Sequence, residues 1–163
     1  MLAEPHRNLA QSKHALVRAL ARRATDPGVA SSTGRFDEAI EVLLRAVKVK
    51  PDHPDGYYNL GLAYRRIDRP DEAIKAFQQG IRLQPNNPVL HAALGSVLLE
   101  IERFQDAVDA YEQAVWLDPN DMDSQRNHGI ALERLGRGDE ALESLRKAVD
   151  RQPDDAQGLY FLG

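Results

Sequence analysis

The side chains able to do chemistry in this 163-residue chain are few and scattered. Five histidines, His6, His14, His53, His91 and His128, could ligate a metal or move a proton, but no two stand at the i, i+4 spacing that brings imidazoles together on one helix face. There is no cysteine, so thiolate nucleophiles, thiolate metal sites and disulfides are absent. Ser96 follows Gly95 inside a helical pattern rather than on a strand-to-helix turn, and neither a phosphate-binding loop nor a Ser/His/Asp order is present. Arg137-Gly138-Asp139 spells an integrin-type tripeptide, but it falls in a turn that a repeating array must have, and we read it as coincidence. These residues imply no enzyme, no cofactor and no metal site. Recognition chemistry remains. The amides of Asn59 and Asn127 each offer a donor and an acceptor, and the guanidinium groups of Arg65, Arg66, Arg126 and Arg134 can each grip a carboxylate through two parallel hydrogen bonds.

The elements that position these groups are set by a repeat. Pro51, Pro85, Pro119 and Pro153 are 34 residues apart, as are Gly61, Gly95, Gly129 and Gly163. A fixed period of that length with helical patterning marks a solenoid of stacked helical hairpins. Ala39, Ala73, Ala107 and Ala141 form one small column, and Ala46, Gly80, Ala114 and Ala148 another. Glycine inside a helix costs about 1 kcal/mol relative to alanine, so Gly61, Gly95 and Gly129 need a packing reason: two helices approach too closely there for a side chain. Tyr57, Leu60 and Tyr64, then Leu94 and Leu98, then Leu132 give the buried stripe of each first helix, while Phe77, Tyr111 and Leu145 give that of each second helix. Asp37-Glu38, Asp71-Glu72 and Asp139-Glu140 place carboxylates in the expected first turn of each second helix, with Gln105-Asp106 a weaker version. Arg35, Arg69, Arg103 and Arg137 stand just before those helices and are read as turn-capping or surface residues rather than a ligand site.

Composition narrows the partners. A net charge of -4 argues against a general nucleic-acid binder, and no apolar run approaches the roughly 18 residues of a membrane span. The absence of cysteine fits a reducing compartment, and the expected location is cytoplasmic. The Arg-rich first 25 residues are compatible with an amphipathic targeting peptide, but Leu9, Leu16, Val17 and Leu20 fall near one helical face and favour a structural helix.

The run Tyr57-Tyr58-Asn59-Leu60-Gly61-Leu62-Ala63-Tyr64, followed by Asp71-Glu72-Ala73, Phe77 and Pro85, resembles the tetratricopeptide repeat (TPR) over about 130 residues from Gly34 onward. The resemblance implies an all-α, right-handed superhelical solenoid of antiparallel helix pairs. Residues 54–87, 88–121 and 122–155 are three full units. Residues 36–53 are the second helix of an irregular first unit, and 1–35 hold its first helix, expected over about 8–25, and an extended loop near 26–35. In that first helix Val17, Leu20, Ala21 and Ala24 take the packing columns and Gly28 the turn. Residues 156–163 form a partial fifth unit or a cap, and we expect the chain to be a fragment of a longer array. His91 and Gln125 replace a bulky residue at the fourth position of their units, and His128 replaces the leucine before Gly129. Both histidines are read as part-buried structural residues.

In this family the first helices line a concave groove, and the resemblance makes the first-helix residues outside the packing columns the binding candidates. They include Tyr58, Asn59, Leu62, Arg65, Arg66, Ser96, Arg126, Asn127, Ile130 and Arg134. Asn59 and Asn127 share a column in which peptide-binding members commonly carry asparagine. The expected function is a non-catalytic scaffold for an extended peptide or protein segment, with acidic or C-terminal segments suited to the arginines. The lysines of the chaperone-tail carboxylate clamp are missing: Val89 and Ala93 fill the third-unit columns in one register, Asp123 and Asn127 in another. Two alternatives stand beside this reading. One is the TPR segment of a larger enzyme, such as a glycosyltransferase resembling the O-GlcNAc transferases. The other is self-association through uncapped ends, where Leu159, Tyr160, Phe161 and Leu162 are apolar.

Overall fold

A computed structural model describes residues 33–151. These form seven helices and no strand: α1 Thr33–Val49, α2 Pro54–Arg66, α3 Pro70–Leu83, α4 Pro88–Glu100, α5 Phe104–Leu117, α6 Met122–Arg134 and α7 Gly138–Arg151. The protein is an all-α helical repeat solenoid. The expected helix at 8–25 and the cap at 156–163 lie outside the described residues. At the first unit the helix starts earlier than the sequence pattern suggests, because Thr33–Arg35, expected to be loop, belong to α1. Gly34 is tolerated there because the first turn has few intrahelical hydrogen bonds to weaken. Asp37 and Glu38 consequently sit one turn in, and the first turn of α1 carries no acid.

The repeat is visible at each helix end. Pro54 and Pro88 open α2 and α4, where proline's missing N–H would have no partner in any case. The Asn87 side chain accepts from the Val89 N–H at 3.0 Å, and that of Asp121 accepts from the Ser124 N–H at 3.3 Å. Each first helix then closes in the same way. Arg69 N–H donates to Tyr64 O at 3.0 Å, Arg103 N–H to Leu98 O at 2.9 Å and Arg137 N–H to Leu132 O at 3.0 Å. Such closure sends the preceding residue into the left-handed region: Asp68 has φ 58°, Glu102 62° and Gly136 75°. Only the third of these positions has the residue that adopts this conformation without cost. Glu102→Gly is therefore expected to raise stability by about 0.5–1 kcal/mol, the relieved strain less the extra freedom of glycine in the unfolded chain. Urea denaturation showing a less stable variant would contradict it.

Arg69, Arg103 and Arg137 have a structural role, as their position before a second helix suggested, whereas Arg35 falls within α1. The guanidinium of Arg69 pairs with Glu72, that of Arg103 with Asp106 at 2.6 Å and that of Arg137 with Glu140 at 2.7 Å. Each pair joins the start of a second helix to its own first turn.

The chain divides into two compact units within α3, after Ala76. In the first, α1 packs on α2, burying Ala39, Ile40 and Leu43 on one helix and Leu60, Ala63 and Tyr64 on the other. In the second, α4 packs on α5, α5 on α6 and α6 on α7. Its core includes Leu90, Val97, Tyr111 and Leu132, all 1% exposed or less. The small column Ala39, Ala73, Ala107 and Ala141 is buried throughout. Gly95 shows why its column is small, since a Cβ there would lie 3.0 Å from the Tyr111 ring.

Candidate functional site

On α2, Leu60, Gly61, Ala63 and Tyr64 are buried in the first unit's core. Tyr58, Asn59, Leu62 and Arg65 are half-buried, and Arg66 is exposed. The helix thus keeps a row of polar, aromatic and aliphatic side chains partly open to solvent, and Tyr57, expected in the buried stripe at the start of the helix, is half-buried as well. Burial raises the Tyr58 phenol pKa, and the positive charge of Arg65 opposes that rise only in part. The phenol is therefore a neutral hydroxyl near pH 7, suited to hydrogen bonding. Arg69, by contrast, lies 5.1 Å from the centre of the Tyr64 ring while paired with Glu72, so its cation is spent within the fold.

In the second unit α4 and α6, both first helices of their pairs, are neighbours. Asn127 and Ile130 are half-buried and Arg134 is exposed on α6. Arg126 is only 18% exposed and pairs with Asp123 one turn earlier, which holds its guanidinium in place. On α4 the Ser96 hydroxyl donates to Ala92 O at 3.0 Å and stands 2.9 Å from the Tyr111 hydroxyl. A serine hydroxyl has one hydrogen, so with that hydrogen on Ala92 O the Tyr111 hydroxyl donates to Ser96. Ser96 therefore ties its helix to α5. The second unit's candidates are thus of two kinds: Asn127, Ile130 and Arg134, partly open, and Ser96 and Arg126, already engaged.

The polar residues in the packing columns have partners that column-by-column reading does not reveal. His91 Nε2 donates to Pro85 O at 2.8 Å, and Gln125 Nε2 donates to Pro119 O at 2.6 Å. Both bonds span six residues, one repeat apart, so each polar substitute anchors a first helix to the carbonyl of the turn proline before it. The available signal was the shared spacing of His91 from Pro85 and of Gln125 from Pro119. His128 behaves as the structural histidine expected. Ser144 gives its hydrogen to Gln125 O at 3.1 Å, so its oxygen must accept from His128 Nδ1, also at 3.1 Å. Among the described residues no group of three His, Cys, Asp or Glu is placed to hold a metal ion, and no helix is long and apolar enough to cross a membrane.

This arrangement has relatives. A sequence model described as Tetratricopeptide repeat matches residues 29–88 and 92–163. The crystal structure of MamA is similar at 26% identity over 85% of this chain and 81% of that chain, with a TM-score of 0.75. A MamA structure from Desulfovibrio magneticus RS-1 shares the fold at 24% identity, covering 92% of this chain and 81% of that one, with a TM-score of 0.78. YrrB, described as a TPR protein with an unusual peptide-binding site, is 25% identical over 88% of this chain and 72% of that chain, with a TM-score of 0.71. No protein of curated function matches the chain.

Proposed function

Because the chain belongs to the tetratricopeptide repeat family, we propose that it is a non-catalytic protein-interaction scaffold whose first helices bind an extended peptide or protein segment. The observation that carries this reading is the division of labour on those helices. Leu60 and Tyr64 in one unit and Leu98 and Leu132 in the other are buried, while Tyr57 and Leu94 of the same columns are only half-buried; beside them Tyr58, Asn59 and Leu62 in one unit and Asn127 and Ile130 in the other keep surface open to solvent. Asparagine can bond a peptide backbone whatever side chains the peptide carries. Tyr58, Leu62 and Ile130 offer apolar surface to those side chains, and Arg65, Arg66 and Arg134 suit an acidic segment or a C-terminal carboxylate, while Arg126, held by Asp123, adds positive charge on the same helix as Arg134. Ser96, with its hydroxyl engaged, contributes by fixing the α4 surface. The peptide-binding site ascribed to YrrB supports the same use of a related array. A cytoplasmic location belongs to this reading.

The test is an array of extended acidic and C-terminal peptides, followed by calorimetry on the best binder. Two lost amide contacts together should weaken binding about tenfold or more in the Asn59→Ala, Asn127→Ala variant. Absence of any binder, or an affinity unchanged by the double substitution, would overturn the proposal.

A further inference from the structure

One first helix is apolar on both of its sides. α4 carries no Asp, Glu, Lys or Arg between Pro88 and Leu99. Leu90, Gly95, Val97 and Leu98 are buried on its packing side. On the other side Val89 is 53% exposed, and Ala92, Ala93 and Leu99 are half-buried. At about 100° of turn per residue these four flank Ser96 on one side of the helix. Ser96 adds little polarity there, because its hydroxyl donates to Ala92 O and accepts from Tyr111. A helix that is apolar all round is ordinarily buried all round, so the open side of α4 is a surface that a ligand would complete.

The next first helix has the opposite character. One repeat later, the positions of Val89, Ala92, Ala93 and Leu99 are held on α6 by Asp123, Arg126, Asn127 and Glu133. The two helices are neighbours within one compact unit. Its open surface is therefore divided by helix, with hydrocarbon on α4 and charge and amide on α6. A charged ligand residue over α4 would give up hydration and find no partner there, whereas a leucine or phenylalanine would remove apolar surface from water on both molecules. On α6 Asp123 and Arg126 answer each other. Arg134 is exposed and has no carboxylate paired with it among the described residues, so it is left for an acid of the ligand.

We infer that the segment bound by this unit has two parts: a bulky aliphatic or aromatic side chain lying on α4 over Ala92 and Ala93, between Val89 and Leu99, and an acidic group meeting Arg134 on α6. The two alanines leave room for a large ligand side chain between their longer neighbours. Packed helices lie about 8–10 Å apart and an extended chain advances about 3.3 Å per residue. With Arg134 set toward the end of its helix, the two ligand groups stand about three to four residues apart. This inference deepens the peptide-binding proposal and rests on it, and it adds an apolar requirement that the asparagines and arginines do not impose.

The full chain, with ¹³C-labelled valine and leucine methyl groups, would be titrated by NMR with serine–glycine octapeptides that end in two glutamates and carry one varied residue three or four positions before them. Leucine or phenylalanine at that position should bind at least about fivefold tighter than alanine, aspartate or lysine, and should give intermolecular NOEs to the Val89 and Leu99 methyl groups. Val89→Asp with Ala93→Asn gives α4 the residue types that α6 carries in the same columns, and it should erase the preference. Val89→Ile keeps the surface apolar and should retain it. The quantity read is the ratio of affinities within one variant, so a general loss of binding does not imitate the result. The inference alone is overturned if the octapeptides bind with equal affinity whatever the varied residue, if their NOEs fall on other methyl groups, or if the double variant keeps the preference. It is also overturned if no octapeptide binds, and the peptide array then decides the wider proposal separately.

Discussion

Replacing Tyr111 with alanine is expected to lower the unfolding free energy by about 3–5 kcal/mol, the range for deleting a large buried ring. The ring is 1% exposed and lies against Gly95, so truncation opens a cavity at the crossing of α4 and α5 that rigid helices cannot close. The hydroxyl contributes separately. Tyr111→Phe keeps the ring and removes the hydroxyl that donates to Ser96, whose own hydrogen remains on Ala92 O, so about 0.5–1.5 kcal/mol is expected. Urea denaturation of the two variants side by side separates ring from hydroxyl. Equal losses would show that the hydrogen bond, rather than the packing, holds this crossing together.

Substituting the other partner at the same crossing should also destabilise, by overpacking. Gly95→Val is expected to cost about 1–3 kcal/mol. Its Cβ would lie 3.0 Å from three ring atoms of Tyr111, and a planar ring enclosed on all sides has no low-energy rotamer to retreat into. The gain in helix propensity on leaving glycine is a few tenths of a kcal/mol and opposes the clash without cancelling it. Gly95→Val in the background of Tyr111→Ala gives the sharper measurement, because the cavity left by tyrosine should accept the new methyl groups. Stability losses that simply add in the double variant would refute direct contact as the cause.

The hairpin interior was legible because packing acts on every repeat alike. Ala73, Ala107 and Ala141 are small and buried for one reason, and seeing the column three times makes that reason visible. The arginine column could be read in the same way, since Arg69, Arg103 and Arg137 each meet an acid three residues later. Features that depend on one residue meeting another across helices were not legible. Ser96 falls between packing columns, where a solvent-facing hydroxyl is expected, yet it meets Tyr111 fifteen residues away. The left-handed column is not marked in the sequence, because Asp68 and Glu102 are residue types that rarely adopt that conformation and only Gly136 has the type that would signal it. His91 and Gln125 stood out as departures from the pattern, but their bonds to Pro85 and Pro119 depend on the path of the turn.

The helical repeat, its period and the small buried alanine column can be read from the chain alone, because burial of apolar surface in a periodic array writes itself periodically into the chain. Tertiary structure decided which of the first-helix candidates are already engaged, as with Ser96 and Arg126, and which acceptor lacks a donor, as with Gln125 Oε1. Hydrogen bonding depends on distance and direction between particular atoms, so these partnerships exist only once the helices have been brought together.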